Sequence, residues 1–600
     1  MPNDSSASVP PQQPAAAAAA APFAPSVVAP PEHSPAVHLA KVEFSDGTSF
    51  TLGSNDIVVL VGPNNAGKSQ ALRDVRGLAQ NPTGFPSVVI KKVELSLAGS
   101  RSDLVRFIEA RGKREENSSN YLYHINGSQI NSSWGHMWDN AANNGLQNLT
   151  PLLFHHLDVQ SRLSAADSVE SFNRRTGHPH LPAHYVFLYS KREDAIATAF
   201  KQAFGQGIVI NRCAGREIPI LFGDRPAKQP DEEEYSESFQ NKLSALPLIS
   251  QQGDGMRCFA GILLNVIATP TNVLLIDEPE AFLHPPQARI LGRFLATHQQ
   301  KGTQLFVATH SSDVIRGLLD ANTGRVRIVR LTRRGSVNQA KQLDNSSISV
   351  FWRDPLLRFS NVFDGLFHDK VVVTEADGDC RFFAAIADAT VSANAGGARE
   401  PDVLFTPTFG KERLLVIVKA LRAIGVPTLA VADFDFLNSA KRVEEFYLAL
   451  GGTNWANLKP LLNQVTQAVE SRKQSLDATL LKPFIGDILN KTTGPVFDEQ
   501  HASEIGKRLK VDSPWDEMKR VGITGLPGGA VFNACNQLLT DLETVGIFVV
   551  RKGELESFDP SIGKHGPAWV AGVLAKNLES DPALAEARTF VRSLVNWKGP

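Results

Sequence analysis

The chain has 600 residues and a formal net charge of −1. This balance excludes a chain coated in positive charge, so any nucleic-acid contact has to be a local patch. The length predicts two to four domains, and a content of 42% hydrophobic and 20% charged residues is typical of a globular protein. No apolar run approaches the roughly 18 residues of a membrane span. The four cysteines lie far apart without metal-ligand spacing, which favours the reducing cytoplasm.

The first part of the chain, residues 1–36, is rich in Pro and Ala. Prolines interrupt helices and the segment offers little for a core, so we expect a disordered tail. From residue 37 the runs HLAKVEF and TSFTL alternate like strands, with a DG turn signal between them. They lead into a first predicted domain, residues 37–365.

The central motif is VVLVGPNNAGKS, residues 58–69. An apolar strand runs into a Gly-x-x-x-x-Gly-Lys-Ser loop and then a helix start, which brings bare backbone N–H groups and a helix dipole against phosphate oxygens. The lysine can reach the β- and γ-phosphates and the serine can ligate Mg²⁺. A chance strand–helix turn is the alternative, and the complete motif argues against it. The predicted nucleotide-binding residues are Gly62, Pro63, Asn64, Asn65, Ala66, Gly67, Lys68 and Ser69.

Residues 100–245 have a different texture, with Asn/Ser-rich loops and mixed helix and strand patterns. We interpret the segment as a partly helical insertion that can provide dimer contacts. The acidic run at 231–234 is typical of a solvated loop.

Two later strands end in residues suited to hydrolysis. In LLIDEP, Asp277 at a strand tip can hold Mg²⁺, and Glu278 can orient and deprotonate the attacking water. The strand LFVATH ends in His310, which can contact the γ-phosphate or that water. A histidine at a strand end is often only structural, but its order and spacing here favour function.

A second Gly-rich loop, SQQGDGMR, precedes another helix and is again an anion site. One chain needs only one phosphate loop, so this one suggests contact with the nucleotide of a neighbouring subunit. The alternative is an ordinary helix N-cap formed by Asp254. The predicted contact residues are Ser250, Gly253, Asp254 and Gly255.

In this order the motifs resemble the ABC-type ATPase heads of the SMC, RecF and OLD group, across about residues 38–330 outside the insertion. The resemblance implies ATP and Mg²⁺ as cofactors and head-to-head dimers in which each signature loop closes on the partner's ATP. The Gly-Asp-Gly loop departs from the Leu-Ser-Gly-Gly-Gln of transporters and is similar to the OLD variant. The absence of long heptad arms argues against a condensin-like protein.

A second α/β unit is predicted from residue 366 to 600, with a helical insertion at about 440–545. Glu375 closes its first strand and Asp379 follows, while Asp433 and Asp435 close another strand. Parallel strands deliver their carboxyl ends to one edge, so these four carboxylates can converge. Together they would need a hard cation, Mg²⁺ or Mn²⁺, which can activate water for phosphodiester cleavage.

This pattern resembles the Toprim domain, firmly over about 369–440 and loosely over 545–560. Ala376 stands where that family usually has Gly. By this resemblance Glu375 is catalytic and Lys552 stands where OLD-type nucleases place a catalytic lysine. Lys411 and Glu556 are further candidates. For Lys411, Lys552 and Glu556 the alternative is an ordinary solvated charge.

The predicted fold is therefore α/β: an ABC-type (RecF/SMC-like) head with an insertion, followed by a Rossmann-like Toprim domain with helical additions. The order resembles the OLD family of ATP-dependent endonucleases and implies a metal-dependent DNA nuclease coupled to an ATPase, acting in defence against phage. Expected partners are DNA, a second copy through the ATPase heads or a higher homo-oligomer, and an accessory defence protein, but no membrane. The alternatives are a nucleotide-gated sensor or scaffold, and a RecF-like repair ATPase, which leaves the four carboxylates unexplained.

Overall fold

The computed structural model describes residues 34–599 with short gaps. The predicted disordered tail therefore lies outside the described residues up to residue 33, and the first strand already begins at Ala36. The gaps are 116–117, 126, 174–177, 322, 336, 344–347, 349–351, 353–360, 393–401, 409, 473–475, 493, 495, 497 and 510–512.

The first unit alternates strands with helices. Its strands are β1 (Ala36–Phe44), β2 (Ser49–Thr51), β3 (Ile57–Val61), β4 (Ile90–Ala98), β5 (Lys113–Arg114), β6 (Tyr121–Ile125), β7 (Ser128–Asn131), β8 (Phe154–Leu157), β9 (Val169–Glu170), β10 (Ile208–Ile210), β11 (Glu217–Ile218), β12 (Ile220–Phe222), β13 (Val273–Asp277), β14 (Gln304–Ala308), β15 (Val326–Arg334) and β16 (Val337–Gln342). Its α-helices are α1 (Lys68–Gln80), α2 (Arg101–Glu109), α3 (Ala141–Asn144), α4 (Thr150–Leu153), α5 (Val159–Ala165), α6 (Pro182–Leu188), α7 (Ser190–Phe204), α8 (Glu237–Ser244), α9 (Asp254–Ala268), α10 (Pro285–His298) and α11 (Ser312–Asp320).

A six-stranded sheet with the order β16-β15-β3-β14-β13-β8 forms the centre of this unit. All neighbours in it are parallel except the β15–β16 pair. Every residue of β3 and β14 is buried, as expected for strands covered on both faces by helices. The carboxyl ends of β3, β13 and β14 thus lie side by side at one edge, and the predicted α/β class is confirmed.

Part of the predicted insertion at 100–245 belongs to the main sheet. Strand β8 lies within it, yet β8 pairs in parallel with β13 as the edge strand of the main sheet. The sequence did not reveal this because Phe154–Leu157 is a four-residue strand that contains two histidines. The other described elements of this segment are the small antiparallel sheets β5-β6-β7, β9-β11 and β10-β12, the helices α2–α8 and short 3₁₀ turns.

The second unit is built on a four-stranded sheet with the order β18-β17-β19-β20, parallel throughout. The described residues between β19 and β20 form six helices, α14–α19, where a helical insertion was predicted. Its strands are β17 (Lys370–Thr374), β18 (Val403–Pro407), β19 (Thr428–Ala432) and β20 (Ile547–Val549). Its α-helices are α12 (Asp377–Ser392), α13 (Lys411–Ala423), α14 (Ala440–Ala449), α15 (Trp455–Glu470), α16 (Ala478–Lys491), α17 (Glu499–Leu509), α18 (Pro514–Val521), α19 (Ala530–Thr544), α20 (Pro567–Leu574) and α21 (Ala585–Asn596).

The two units are joined by a buried arginine. The guanidinium of Arg330, on β15, donates hydrogen bonds to the backbone carbonyls of Leu366, Gly425 and His368 at 3.3, 3.1 and 2.7 Å. Because a buried charge needs such partners, these bonds fix the second unit against the main sheet. None of the described helices is both long and apolar enough to cross a membrane.

Candidate functional site

The phosphate loop lies between β3 and α1, as predicted. Gly62 and Gly67 have φ values of 141° and 91°, in the region that favours glycine. A Cβ atom on Gly62 would lie 2.0 Å from the carbonyl oxygen of Leu331 on β15. The main sheet therefore touches the loop backbone, which leaves no room for a side chain.

Lys68 is buried within this loop. Its ammonium group donates hydrogen bonds to the carbonyl oxygens of Gly62 and Pro63, at 2.8 and 2.9 Å. Burial lowers the pKa of Lys68 to about 8, against the opposing effect of nearby carboxylates. The lysine thus curls over the loop, where the oxygens of a bound phosphate can replace the two carbonyl acceptors.

Ser69 and Asp277 are brought together from positions 208 residues apart in the chain. The Ser69 hydroxyl donates to Oδ1 of Asp277 at 2.9 Å. Burial raises the pKa of the Asp277 carboxyl. An oxygen pair of this kind, beside a phosphate loop, matches the ligands that Mg²⁺ takes in phosphoryl-transfer sites.

Glu278 and His310 also meet at this edge. The Oε1 atom of Glu278 lies 3.9 Å from Nε2 of His310, and about half of the Glu278 side chain is exposed. Burial, and then the charge of Lys68, lower the pKa of His310. A neutral imidazole beside an accessible carboxylate can hold a water molecule without repelling the lysine.

Glu280 is a residue that the sequence reasoning missed. Its carboxylate accepts hydrogen bonds from the His310 backbone N–H at 2.6 Å and from the Thr309 hydroxyl at 2.8 Å. Burial raises its pKa, whereas these bonds oppose the rise. Glu280 therefore fixes the end of β14 to the end of β13. Its only sequence signal was a third acidic residue in IDEPE.

The second Gly-rich loop forms the start of α9. Gly253 is the N-cap residue, without a side-chain cap, and Asp254 is the first helical residue, where it pairs with Arg257 at 3.2 Å. The alternative that Asp254 caps this helix is therefore wrong. Ser250 lies in a 3₁₀ turn (Ile249–Gln251), and Gly255 lies in the first turn of α9. Gly253 is exposed with open space around it, so the helix N-terminus is accessible from outside.

A second site lies at the carboxyl edge of the β17–β20 sheet. Glu375 follows β17, Asp433 follows β19 and Glu554 follows β20. They face a cleft of about 640 Å³. The cleft is lined by Glu375, Ala376, Asp377, Gly378, Asp379, Arg381, Asp433, Lys519, Glu554, Leu555, Glu556, Gly566, Pro567, Val570, Ala571 and Leu574.

The carboxylates in this cleft affect one another. Burial, and then the charge of Asp433, raise the pKa of Asp379 to about 7, although Oδ2 of Asp379 accepts a hydrogen bond from the Ala376 N–H at 3.0 Å. Burial also raises the pKa of Glu554, and Glu556 adds to this effect. Keeping acidic groups ionised in such surroundings costs free energy, and a bound cation would lower that cost.

Lys519, on α18, is a cation that the structure places in the cleft beside Asp433. Its ammonium lies 2.9 Å from Oδ2 of Asp433 and 3.8 Å from a carboxylate oxygen of Glu554. Burial opposes its charge, but Asp433, Asp435 and Glu554 together outweigh this effect and raise the pKa of Lys519. No sequence pattern indicated this residue, because WDEMKRV is an ordinary amphipathic helix pattern.

Other predicted residues lie elsewhere. Lys552 pairs with Glu586 at 2.8 Å and is absent from the described lining of the cleft. Asp435 is also absent from that lining, although its charge acts on Lys519. Lys411 begins α13, and its side chain lies outside the part of the chain that the structure describes.

Glu556, interpreted from sequence as a candidate or a solvated charge, belongs to a close group. One ligand atom each from Glu554, Glu556 and His565 lie within 4.8 Å of one another. The Gly566 N–H donates to Oε1 of Glu556 at 2.8 Å, which orients that carboxylate. The sequence motif GELE contained two of these ligands without indicating their partner.

Comparisons with known proteins agree with the first site. Residues 152–316 match the family described as "AAA domain, putative AbiEii toxin, Type IV TA system". The Old nuclease of Escherichia phage P2 is 23% identical over 249 residues, which are 40% of this chain and 40% of that protein. The chain thus matches less than half the length of this relative. The predicted resemblance to an OLD-family ATPase is confirmed over the aligned part.

Solved structures of SMC heads are also similar in outline. An SMC head domain from Thermotoga maritima overlaps 51% of this chain and 99% of its own, with 14% identity and a TM-score of 0.26. An Smc head bound to part of ScpA derived from Pyrococcus furiosus overlaps 52% and 98%, with 11% identity and a TM-score of 0.29. Scores of this size support no inference about mechanism, and the fold is assigned from its own strand order.

Proposed function

We propose that this protein is an ATP-hydrolysing, divalent-metal-dependent DNA endonuclease. The observation that carries the proposal is the acidic cleft at the carboxyl edge of the second sheet, on the same chain as a complete phosphate loop. Three strands deliver Glu375, Asp433 and Glu554 to this edge, and Lys519 is the counter-charge beside them. This arrangement suits a phosphodiester and the cations that accompany its cleavage.

The proposed ATPase roles follow from the first site. Lys68 and the loop N–H groups bind the phosphates, and Ser69 with Asp277 holds Mg²⁺. Glu278 orients and deprotonates the attacking water, while His310 lies on the other side of that carboxylate. Glu280 keeps His310 in place through its backbone N–H.

The residues of the cleft fit a hard divalent cation. Glu375, Asp379 and Asp433 are oxygen donors in a partly buried space, where burial and then the charge of Asp433 raise the pKa of Asp379. They would hold Mg²⁺ or Mn²⁺, with Glu554, Glu556 and His565 as a neighbouring ligand group. A bound cation of this kind supplies a Lewis acid and an activated water. Lys519 then becomes free to bind a phosphate oxygen of the substrate.

A head-to-head dimer is part of the proposal. The accessible start of α9 supports contact with a second copy, since Gly253 is exposed and a Cβ atom on it would meet no described atom within 4 Å. Phe282 lies next to it, 61% exposed and with a φ of 65°, and its carbonyl oxygen would be 2.5 Å from a Cβ on Gly255. An exposed aromatic beside an anion site suits an interface that closes on nucleotide. An anti-phage role rests on the family resemblance alone, and plaque formation on cells with and without the protein tests it.

The deciding experiment is nicking of supercoiled plasmid by purified protein with Mg²⁺ or Mn²⁺. Wild type should nick, and Asp433→Asn should lose nicking while it retains ATP hydrolysis, because Asp433 lies in the cleft and away from the phosphate loop. Asp487→Asn, on the exposed face of α16, is the matched control and should behave as wild type. ATP hydrolysis without nicking by wild type in either metal would instead favour a nucleotide-gated sensor or scaffold.

A further inference from the structure

A fully buried arginine lies behind the proposed ATPase site. Arg162, on α5, is 0% exposed. Its Nη1 atom donates a hydrogen bond to the backbone carbonyl oxygen of Glu278 at 3.0 Å. Its Nε and Nη2 atoms have no hydrogen-bond partner among the described residues. A buried guanidinium is costly to place in a core, so a residue of this kind calls for an explanation beyond packing.

The carbonyl that Arg162 holds belongs to a strained residue. Glu278 has a φ of 46°, in the left-handed region that non-glycine residues seldom adopt. Its N–H donates to the carbonyl oxygen of Ala308 on β14 at 2.8 Å. The backbone of Glu278 is thus held on both sides, by β14 through its N–H and by Arg162 through its carbonyl. The direction of its carboxylate depends on both bonds.

Helix α5 is packed tightly on α9, the helix that begins at the second Gly-rich loop. A Cβ atom on Gly261 of α9 would lie 2.0 Å from the carbonyl oxygen of Arg162. Only a glycine permits this approach, so α5 and α9 are held as a close pair. The Arg162 side chain extends from this pair to the end of β13.

Charge around the guanidinium supports the same arrangement. Burial lowers the pKa of Arg162, and nearby acidic groups oppose this effect; among them are Glu280 and Asp277, which belong to the acidic segment that contains Glu278. Arg162 therefore provides positive charge from behind the segment, whereas Lys68 provides it from the phosphate loop in front. The positive charges of Arg162 and Lys68 reduce the repulsion among the three carboxylates that this short segment carries.

We propose that Arg162 is a positioning residue of the ATPase site, which holds Glu278 in its strained backbone conformation and ties that conformation to helix α9. The proposal rests on the proposed ATP hydrolysis. Arg162 touches the peptide of Glu278 and does not reach the reacting atoms, so it should affect the hydrolytic step and leave nucleotide binding intact. Movement of α9, when its loop meets the partner's nucleotide, would pass through α5 to Glu278.

The test compares Arg162→Gln, Arg162→Lys and a control, Arg192→Gln. Arg192, on α7, is a half-buried arginine of the same unit, and its guanidinium carbon lies 4.7 Å from the centroid of the Tyr189 ring. Steady-state ATP hydrolysis gives kcat and KM, a fluorescent ATP analogue gives nucleotide affinity, and thermal melting confirms the folded state.

For Arg162→Gln we expect kcat to fall about 100-fold, the size of effect that a small misplacement of a reacting group produces, with nucleotide affinity close to that of wild type. Arg162→Lys should be intermediate, since its ammonium ends one atom short of Nη1 and offers a point charge without the planar fork. Arg192→Gln should retain the wild-type kcat.

A wild-type kcat in either folded Arg162 variant would overturn the proposal, as would a loss of nucleotide affinity equal to the loss of kcat. If Arg162→Gln does not fold, Arg162→Lys decides by the same criteria. Absence of ATP hydrolysis by wild type would be a different result, because it would remove the proposed ATPase activity itself.

Discussion

Replacing Lys519 with methionine tests whether its ammonium is the built-in counter-ion of the acidic cleft. Lys519 lies 2.9 Å from Asp433 and 3.8 Å from Glu554. Lys519→Met keeps most of the apolar stem and removes the charge. The cleft then retains its carboxylates with Arg381 as its remaining lining cation among the described residues. We therefore expect a less stable second unit that depends more strongly on divalent metal.

The magnitude follows from distance and exposure. At 2.9 Å the gross Coulomb attraction is about 6 kcal/mol in an effective dielectric of about 20. The Lys519 side chain is 33% exposed and that of Asp433 is 17% exposed, so solvent and lost side-chain entropy reduce this figure. Bonds between charged groups of this type are worth about 1.5–3 kcal/mol. A loss of about 2 kcal/mol lowers the Tm of a unit of this size by about 4–8 °C.

The assay is thermal melting with EDTA and then with Mg²⁺ or Mn²⁺. The matched control is Lys552→Met, which removes a lysine whose partner Glu586 is 66% exposed and should change Tm little. Metal should raise the Tm of Lys519→Met more than that of wild type. Equal melting of the two lysine variants in EDTA, or an equal response of wild type and Lys519→Met to metal, would refute the counter-ion assignment. The same pair of variants in the nicking assay decides which lysine serves cleavage.

Three further predictions concern nucleotide, dimer and pH. Lys68→Ala should abolish ATP turnover, whereas Glu278→Gln should bind ATP without hydrolysing it and accumulate as a dimer. Phosphate release measures turnover and size measurements detect the dimer. Normal turnover by either variant would contradict the assigned roles. Mixing Lys68→Ala subunits with Gly253→Glu subunits should restore part of the ATPase activity, since each mixed dimer contains one intact composite site. If mixed dimers form and remain inactive, the loop at Gly253 does not act on the partner's nucleotide. The folded-state pKa of Asp379 is about 7, above its ordinary 3.8, so the folded state retains a proton that the unfolded chain releases. Stability without metal should therefore fall as the pH rises from about 4 to about 7, by at most about 4 kcal/mol, and Asp379→Asn should flatten this part of a Tm-against-pH curve.

The phosphate loop could be predicted because its determinants are contiguous. A buried strand, two glycines with positive φ and a helix start all lie within residues 58–69, so local sequence fixes the geometry. The meeting of Asp277 with Ser69, and of Glu375 with Asp433, also followed from a local rule. Asp277, Glu375 and Asp433 each follow or end a parallel strand, and such ends share one edge of a sheet, while Ser69 lies in the first turn of the helix after the loop at that same edge.

The tertiary structure alone decided which distant charges face the sites. In the sequence Lys552 is a candidate and Lys519 is an ordinary charge of an amphipathic helix, yet packing of α18 places Lys519 in the cleft and leaves Lys552 paired with Glu586. Arg162 gave no signal at all, since an arginine in a short helix is usually solvated, and its burial depends on the close approach of α5 to Gly261. Side chains from segments far apart in the chain meet only through packing, which no local pattern encodes. The sequence by itself therefore determined the backbone of both sites, and the tertiary fold determined the cations that balance their carboxylates.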